Sequence, residues 1–275
     1  MIDPGPAAAI PALQRNLQAQ GVELSDVSTI LLTHIHLDHA GSVGALVEQN
    51  PKLQVFVHSR GAQHLIDPAK LIESASRVSG TNIETIWGSM RPTPAANVRV
   101  LHGGEKLQIG TRSFEVLYTP GHAIHHVSFI ESDSGIAFVG DALGIRVDDS
   151  FVFPAAPPPD IDVEALFSSA DLIQSRNPQH LFLTHFGLMG LVEWHIAEFR
   201  NRLQRWSDFV RMTLEMPGDD VQRAQLFSEM TSAEIDAVRP SGQSSWFENT
   251  IASRQSWYGL ARYWRRSTKP GSAHR

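Results

Sequence analysis

The stretch Thr33-His34-Ile35-His36-Leu37-Asp38-His39-Ala40-Gly41 sets three imidazoles and a carboxylate within six residues, directly after the apolar run Val27-Ser28-Thr29-Ile30-Leu31-Leu32. Imidazole and carboxylate are ligands for divalent ions such as zinc, manganese and iron. A loop leaving a buried strand can turn alternate side chains in different directions, so His34 and His36 can face one ion while Asp38 and His39 face another. That pattern points to two metals. The chain contains no cysteine, which excludes thiolate zinc sites, disulfides and a cysteine nucleophile together. Any metal must therefore be held by histidine and acidic residues, and thirteen histidines are available. Gly-x-Ser-x-Gly does not occur, and no separate protein nucleophile is apparent.

Two metals need more donors than this loop supplies, and three further positions fall at strand ends. His122 follows Tyr118-Thr119-Pro120-Gly121, where proline and glycine turn the chain. Asp141 follows Phe138-Val139-Gly140, where glycine permits close backbone approach. His185 follows Leu181-Phe182-Leu183-Thr184. The C-terminal ends of strands are the usual location of sites in layered α/β folds.

The elements that must deliver these groups alternate in type. Residues 6–20 have helical spacing and stop at Gly21; Ser42 to Gln49 reads as a helix, and Leu53 to Val57 as a buried strand ending at His58. Arg60 to Leu65, Pro68 to Val78 and Ile83 to Trp87 read as short helices lying over the site. From Val98 the pattern becomes short strands and tight turns: Val98 to Leu101, Lys106 to Ile109, Phe114 to Tyr118, Val127 to Ile130 and Ile136 to Val139. Pro154 to Asp160 is a stiff connection, neither helix nor central strand. Val163 to Arg176 reads as helix and His180 to Thr184 as strand. Glu193 to Met216, Asp219 to Met230, Ser232 to Val238 and Trp246 to Tyr263 then predict an all-helical ending.

At 275 residues, 42% hydrophobic, 19% charged and with a formal net charge of −6, the composition is that of a globular protein. No stretch approaches the roughly 20 apolar residues of a membrane span. The acidic balance disfavours nucleic acid, whose binding relies on clustered cations. The one basic cluster, Arg262, Arg265, Arg266 and Lys269, reads as a solvated tail. No signal peptide is visible, so a cytoplasmic location is expected.

The ordered set of His34-x-His36-x-Asp38-His39, Thr-Pro-Gly-His122, Gly-Asp141 and His185 after a strand resembles the motifs of the metallo-β-lactamase superfamily, particularly its glyoxalase II-like and lactonase-like hydrolases. The resemblance covers roughly residues 2–190 and implies an α/β fold, a four-layer αβ/βα sandwich. The division it suggests is a catalytic domain over 1–190 and a helical extension over 191–275. It further implies that His34, His36 and His122 hold one divalent ion, that Asp38, His39 and His185 hold the other, and that Asp141 bridges them. The family usually carries a pair of strands before the segment matching Ile2-Asp3-Pro4-Gly5, and these are missing here: either the sequence is truncated or the first sheet has lost edge strands, in which case a bare sheet edge would invite pairing with a second copy, as in a homodimer.

Two ions about 3.5–4 Å apart share a water, lower its pKa and polarise the electrophile. Five imidazoles and two carboxylates suit zinc, and iron or manganese would also accept them. Asp38 can orient the hydroxide as well as bind. The expected reaction is hydrolysis of an ester, thioester or lactone in a small-molecule substrate. The alternatives are a β-lactamase, a phosphodiesterase or phosphotriesterase on the same metals, and a mononuclear iron dioxygenase of the same fold. No cation to grip a drug carboxylate is identifiable.

His126 stands where relatives carry a non-liganding histidine, and Asp3 with Thr33 or Thr184 would fix imidazole tautomers. His125 replaces a residue often glycine in glyoxalase II-like relatives, and with Trp87, Phe151 and Phe186 it is expected to face the substrate cleft. His58, His64, His102, His180, His195 and His274 have no motif support and read as structural or exposed.

Overall fold

The computed structural model describes residues 1–79, 83–146, 149–238 and 253–267. The chain divides into two compact units, Met1–Tyr118 with His125–Val139 and Thr119–Ile124 with Gly140–Arg275.

In the first unit, strands β1 (Thr29–Leu31), β2 (Gln54–His58) and β3 (Val98–Leu101) run parallel in that order. Ile2 adds a parallel bridge to Leu31. Parallel neighbours need crossovers, and helices supply them: α2 (Leu37–Ala40) and α3 (Val43–Gln49) between β1 and β2, then α4 (Ser59–Ile66), α5 (Ala69–Ser79) and α6 (Ile83–Trp87) between β2 and β3. Helix α1 (Ile10–Ala19) precedes β1.

Side-chain alternation along the strands decides which core each residue joins. Ile30, Leu32, Val55 and Val57 pack with Val43, Leu46, Val47 and Leu65 of the helices, and Ile10 and Leu13 of α1 lie against this core. Leu31, and with it the partly buried Phe56, faces the opposite way toward Phe114, Val116, Val127 and Phe129. Those four belong to β5 (Arg112–Tyr118) and β6 (Val127–Glu131), which with β4 (Lys106–Ile109) and β7 (Ile136–Gly140) form an antiparallel run. The parallel strands thus carry helices on one face and antiparallel strands on the other. Phe129 is fully buried at that second core. Truncating it to alanine should cost about 3–5 kcal/mol, a large part of a typical domain's stability of roughly 5–15 kcal/mol.

The second unit contains the short antiparallel pair β8 (Ile145–Arg146) and β9 (Val152–Phe153), then α7 (Val163–Gln174), whose first turn is capped by Asp162 accepting from Ala165 N at 2.9 Å. The hairpin of β10 (His180–Leu183) and β11 (Gly187–Met189) follows. Three helices close the described chain: α8 (Val192–Leu214), α9 (Asp220–Val238) and α10 (Ser253–Ser267). Their core is aromatic. The Trp206 ring meets Phe153 at 4.8 Å and Phe227 at 5.3 Å, both edge-on. Its N–H donates to Glu234 at 3.1 Å, while that of the buried Trp257 donates to Thr213 at 2.9 Å.

Three elements differ from the sequence reading. The metal loop contains the helical turn α2, begun by His36 in extended geometry at φ −58 and ψ 152. The break expected at Thr231 is absent and α9 runs through it, because the Thr231 hydroxyl is buried and donates back to the Ser228 carbonyl at 3.0 Å within the helix. The pairs β8–β9 and β10–β11 include strands of two or three residues, too short for an alternation signal. The expected helix start at Trp246, and Lys269 and His274, lie outside the described residues.

Candidate metal centre

The first unit assembles its donors locally. Asp3, in left-handed geometry at φ 44, sits opposite the end of β1 and accepts from Thr33 N at 2.8 Å and the Thr33 hydroxyl at 2.7 Å. The same carboxylate meets His39 Nδ1 at 3.0 Å. Thr33, having given its proton to Asp3, can only accept from His34 Nδ1, which lies 3.0 Å from its oxygen. Both imidazoles are therefore protonated on Nδ1 and carry a lone pair on Nε2. Those nitrogens point at further donors: His34 Nε2 lies 3.0 Å from His36 Nδ1, and His39 Nε2 lies 3.6 Å from Asp38 Oδ2. His34 and His39 are fully buried, whereas the Asp38 side chain is 26% exposed, open to a reactant.

The second unit assembles its donors from three loops. His122 is 1% exposed, and its Nδ1 lies 3.2 Å from the Ala155 carbonyl. A carbonyl accepts only, so the proton is on Nδ1 and the lone pair on Nε2. Asp141 divides its two oxygens: Oδ2 is 3.6 Å from His122 Nε2, and Oδ1 is 3.7 Å from His185 Nε2. Each oxygen of the carboxylate thus faces a different imidazole.

The spacing of these donors fits a metal ion. Two ligand atoms each about 2.1 Å from one zinc ion at tetrahedral angles lie about 3.4 Å apart. The separations of 3.0, 3.6, 3.6 and 3.7 Å bracket that value. Metal would also relieve the cost of burying groups whose lone pairs face one another. All seven residues are donors able to take part in metal ligation.

The other residues singled out by sequence fall in varied places. Thr33 and Asp3 anchor the metal loop, as just described. His126 is fully buried, its ring 5.1 Å from that of His34. His125 is buried too: its Nδ1 accepts from Ile35 N at 3.4 Å, and its ring stands 5.8 Å from His36 and 6.2 Å from His34. It braces the backbone between two donors. Trp87 packs against the helix-side core. Phe151 is 1% exposed, with the Arg202 guanidinium 3.8 Å over its ring. Phe186, next to His185, is 46% exposed and left-handed at φ 77, a strained conformation for an aromatic residue.

Two partners were not legible. One is the Ala155 backbone carbonyl on His122. The other is His195 of α8, fully buried, whose Nε2–H donates to the Leu143 carbonyl at 3.0 Å, two residues beyond Asp141. Burial, with the positive charge of Arg146 adding to it, pushes the His195 pKa down to about 4 against the hydrogen bond to Leu143. His58 caps α4, accepting from Arg60 N at 3.3 Å, and stacks on Tyr118 at 4.5 Å.

The family model of the metallo-β-lactamase superfamily matches residues 1–185, and the chain belongs to that superfamily, whose members bind metal ions and include hydrolases. Its fold is the metallo-β-lactamase fold, an α/β sandwich of mixed sheets with a C-terminal helical region. A metallo-β-lactamase fold-containing protein of Sulfurisphaera tokodaii is 30% identical over 184 residues, covering 65% of this chain and 69% of that one. The hydroxyacylglutathione hydrolase GloC of Haemophilus influenzae is 32% identical over 172 residues, covering 62% and 70%. Several other curated relatives are spanned over only 32% to 41% of their own length. Among solved structures, a metallo-β-lactamase family protein from Thermus thermophilus shares the fold, with a TM-score of 0.72 and 22% identity over 97% of this chain and 84% of that one.

Proposed function

We propose that the protein is a dinuclear metal-dependent hydrolase of an ester, thioester or lactone. The observation that carries this reading is the state of the imidazoles. In each donor group a fixed acceptor holds an Nδ1 proton, that of His39 on Asp3, of His34 on Thr33 and of His122 on the Ala155 carbonyl, and leaves Nε2 as a ligand 3.0 to 3.6 Å from the next donor. The family's motif order would assign His34, His36 and His122 to one ion, Asp38, His39 and His185 to the other, and Asp141 to both. Zinc suits this ligand set best.

Metal bound by these residues would supply acidified water as nucleophile and polarise the substrate carbonyl. The protein's own groups do the rest. Asp38 orients the attacking water through its partly exposed carboxylate, and Asp3 keeps His39 in its liganding tautomer. The exposed ring of Phe186 offers an apolar surface to the acyl group. Water adds to the carbonyl, the bond to the alkoxide or thiolate breaks, and the products are a carboxylic acid and an alcohol or thiol. A thioester is the first substrate to try, since the GloC relative is a hydroxyacylglutathione hydrolase.

Purified protein should hold close to two transition-metal ions per chain. A panel of an acylglutathione thioester, lactones, a β-lactam and a bis-aryl phosphate, run on protein reconstituted separately with zinc, manganese and iron, should give turnover of a carboxylic ester, thioester or lactone. One tightly bound ion together with an unaffected Asp38→Ala variant would replace the dinuclear reading with a mononuclear one.

A further inference from the structure

The helix α10 lies far along the chain from every donor, yet its side chains hold the structure behind one of them. His122 Nδ1 donates to the carbonyl of Ala155 at 3.2 Å. The N–H of the same peptide group, that of Ala156, donates to the Ser256 hydroxyl of α10 at 3.1 Å within the buried interior. A peptide unit is planar and rigid. One plane therefore has a metal-ligand imidazole at its oxygen end and a residue of α10 at its nitrogen end, and a rotation that frees one contact strains the other.

The rest of α10 fits this role. Gly259 packs so closely that a Cβ there would stand 2.0 Å from the Ala156 carbonyl oxygen. Arg262 Nε donates to the Pro159 carbonyl at 3.1 Å. The segment between them, Ala156-Pro157-Pro158-Pro159, is stiff because each proline fixes its own φ and restricts the residue before it. The hydroxyl of Tyr263 donates to Glu164 of α7 at 2.5 Å. Helix α7 is the second support of His122: Ser169 donates to the Pro120 carbonyl at 2.7 Å, and Gly121, at φ +124, leaves room for the Leu166 backbone where a Cβ would approach to 2.5 Å. The helix is itself fixed to its neighbours by Trp257 on Thr213 at 2.9 Å and by Trp264 on the Ser207 carbonyl at 2.9 Å.

We infer that Ser256, acting through the Ala155–Ala156 peptide group, is a positioning residue for His122, which makes the C-terminal helix part of the metal-binding machinery. The inference rests on His122 being a metal ligand, as proposed above. Its core, the control of the His122 tautomer, holds in metal-free protein as well.

The test is a graded series at one position: Ser256→Thr keeps the hydroxyl acceptor, Ser256→Cys keeps the volume with a weaker acceptor, and Ser256→Ala removes it. Two measurements are made on the full chain. Long-range proton–nitrogen correlation of histidine-labelled, metal-free protein reports the His122 tautomer. Competition with a chromophoric chelator reports zinc affinity. Ser256→Thr should match the parent, Ser256→Cys should fall between, and Ser256→Ala should lose about tenfold in zinc affinity while His122 becomes a mixture of tautomers. A variant that is less stable but keeps the parent's affinity and tautomer would show that Ser256 only packs, and would overturn the inference. If Ser256→Ala does not fold, Ser256→Cys carries the same decision. Parent protein that binds none of zinc, manganese and iron would defeat the hydrolase reading, while the tautomer series would still judge Ser256.

Discussion

The two donor groups are built by opposite means. In the first unit, His34, His36, Asp38 and His39 lie within six residues, and the single carboxylate of Asp3 sets two imidazoles, His39 directly and His34 through Thr33. In the second unit, His122, Asp141 and His185 come from three separate loops; a backbone group, the Ala155 carbonyl, fixes His122, and His195 holds the Leu143 carbonyl two residues beyond Asp141. A side-chain anchor can be removed by one substitution. A backbone anchor can be disturbed only through whatever holds the backbone. The first group should therefore be sensitive at one residue, the second at residues that never touch it.

The largest effect is expected at Asp141, whose carboxylate faces two imidazoles of the second group. Asp141→Asn keeps the shape of the side chain but removes the charge shared between His122 and His185. Losing several kcal/mol of charge stabilisation at a two-metal site predicts a fall of roughly a thousandfold or more in kcat. Metal analysis should show less than two ions per chain. Full metal content with undiminished turnover would remove Asp141 from the centre.

Next comes the anchor of the first group. Asp3→Asn retains one acceptor oxygen, so it cannot serve Thr33 N, the Thr33 hydroxyl and His39 as the carboxylate does. Loss of such a supporting carboxylate typically costs about 10–100-fold in metal affinity or activity. Chelator competition should show that loss, together with a lower urea midpoint of metal-free protein, since a buried donor left unpaired costs about 1–3 kcal/mol. An equal loss of affinity in Ser256→Ala and Asp3→Asn would mean that the two groups tolerate disturbance alike, and would dissolve the contrast between them.

The contrast also explains what could be read from the amino acids alone. The first group was legible because its chemistry is contiguous: donors, strand and anchor are all side chains with recognisable spacing. The strand ends of the second group were legible from Thr-Pro-Gly-His122 and Gly-Asp141, where proline and glycine mark turns. What holds them was not, because a carbonyl such as that of Ala155 has no signature in sequence, and the bond from Ala156 N to Ser256 that fixes its peptide group spans 100 positions. The parallel and antiparallel strands were legible through alternation. The helical turn α2 was not, since four residues carry too little periodicity to oppose a loop. Helix α9 was divided at Thr231 because a hydroxyl residue reads as a breaker until its burial and its bond to Ser228 are known.

The smallest effect probes the backbone anchor beside Asp141 through pH. His195 has a folded pKa of about 4 because its burial penalises the charged form, whereas an unfolded histidine titrates near 6.5. Between those values the unfolded chain binds more protons than the folded one, so stability falls as pH falls. Above about pH 6.5 neither state is charged and the contribution is flat, and below about pH 4 both are charged and it is flat again. The slope within the window is about 1.4 kcal/mol per pH unit, which by pH 5.5 amounts to about 1.4 kcal/mol relative to pH 8. His195→Gln keeps an N–H to donate to Leu143 and does not titrate. Urea unfolding of metal-free parent and variant from pH 8 to pH 5 isolates this residue, since the titration of every other group cancels in the difference. The variant should gain on the parent by that amount as the solution is acidified. Parallel curves would show that His195 carries its proton in the folded protein, and its hold on the Leu143 carbonyl would then be a charged contact, stronger in acid rather than indifferent to it.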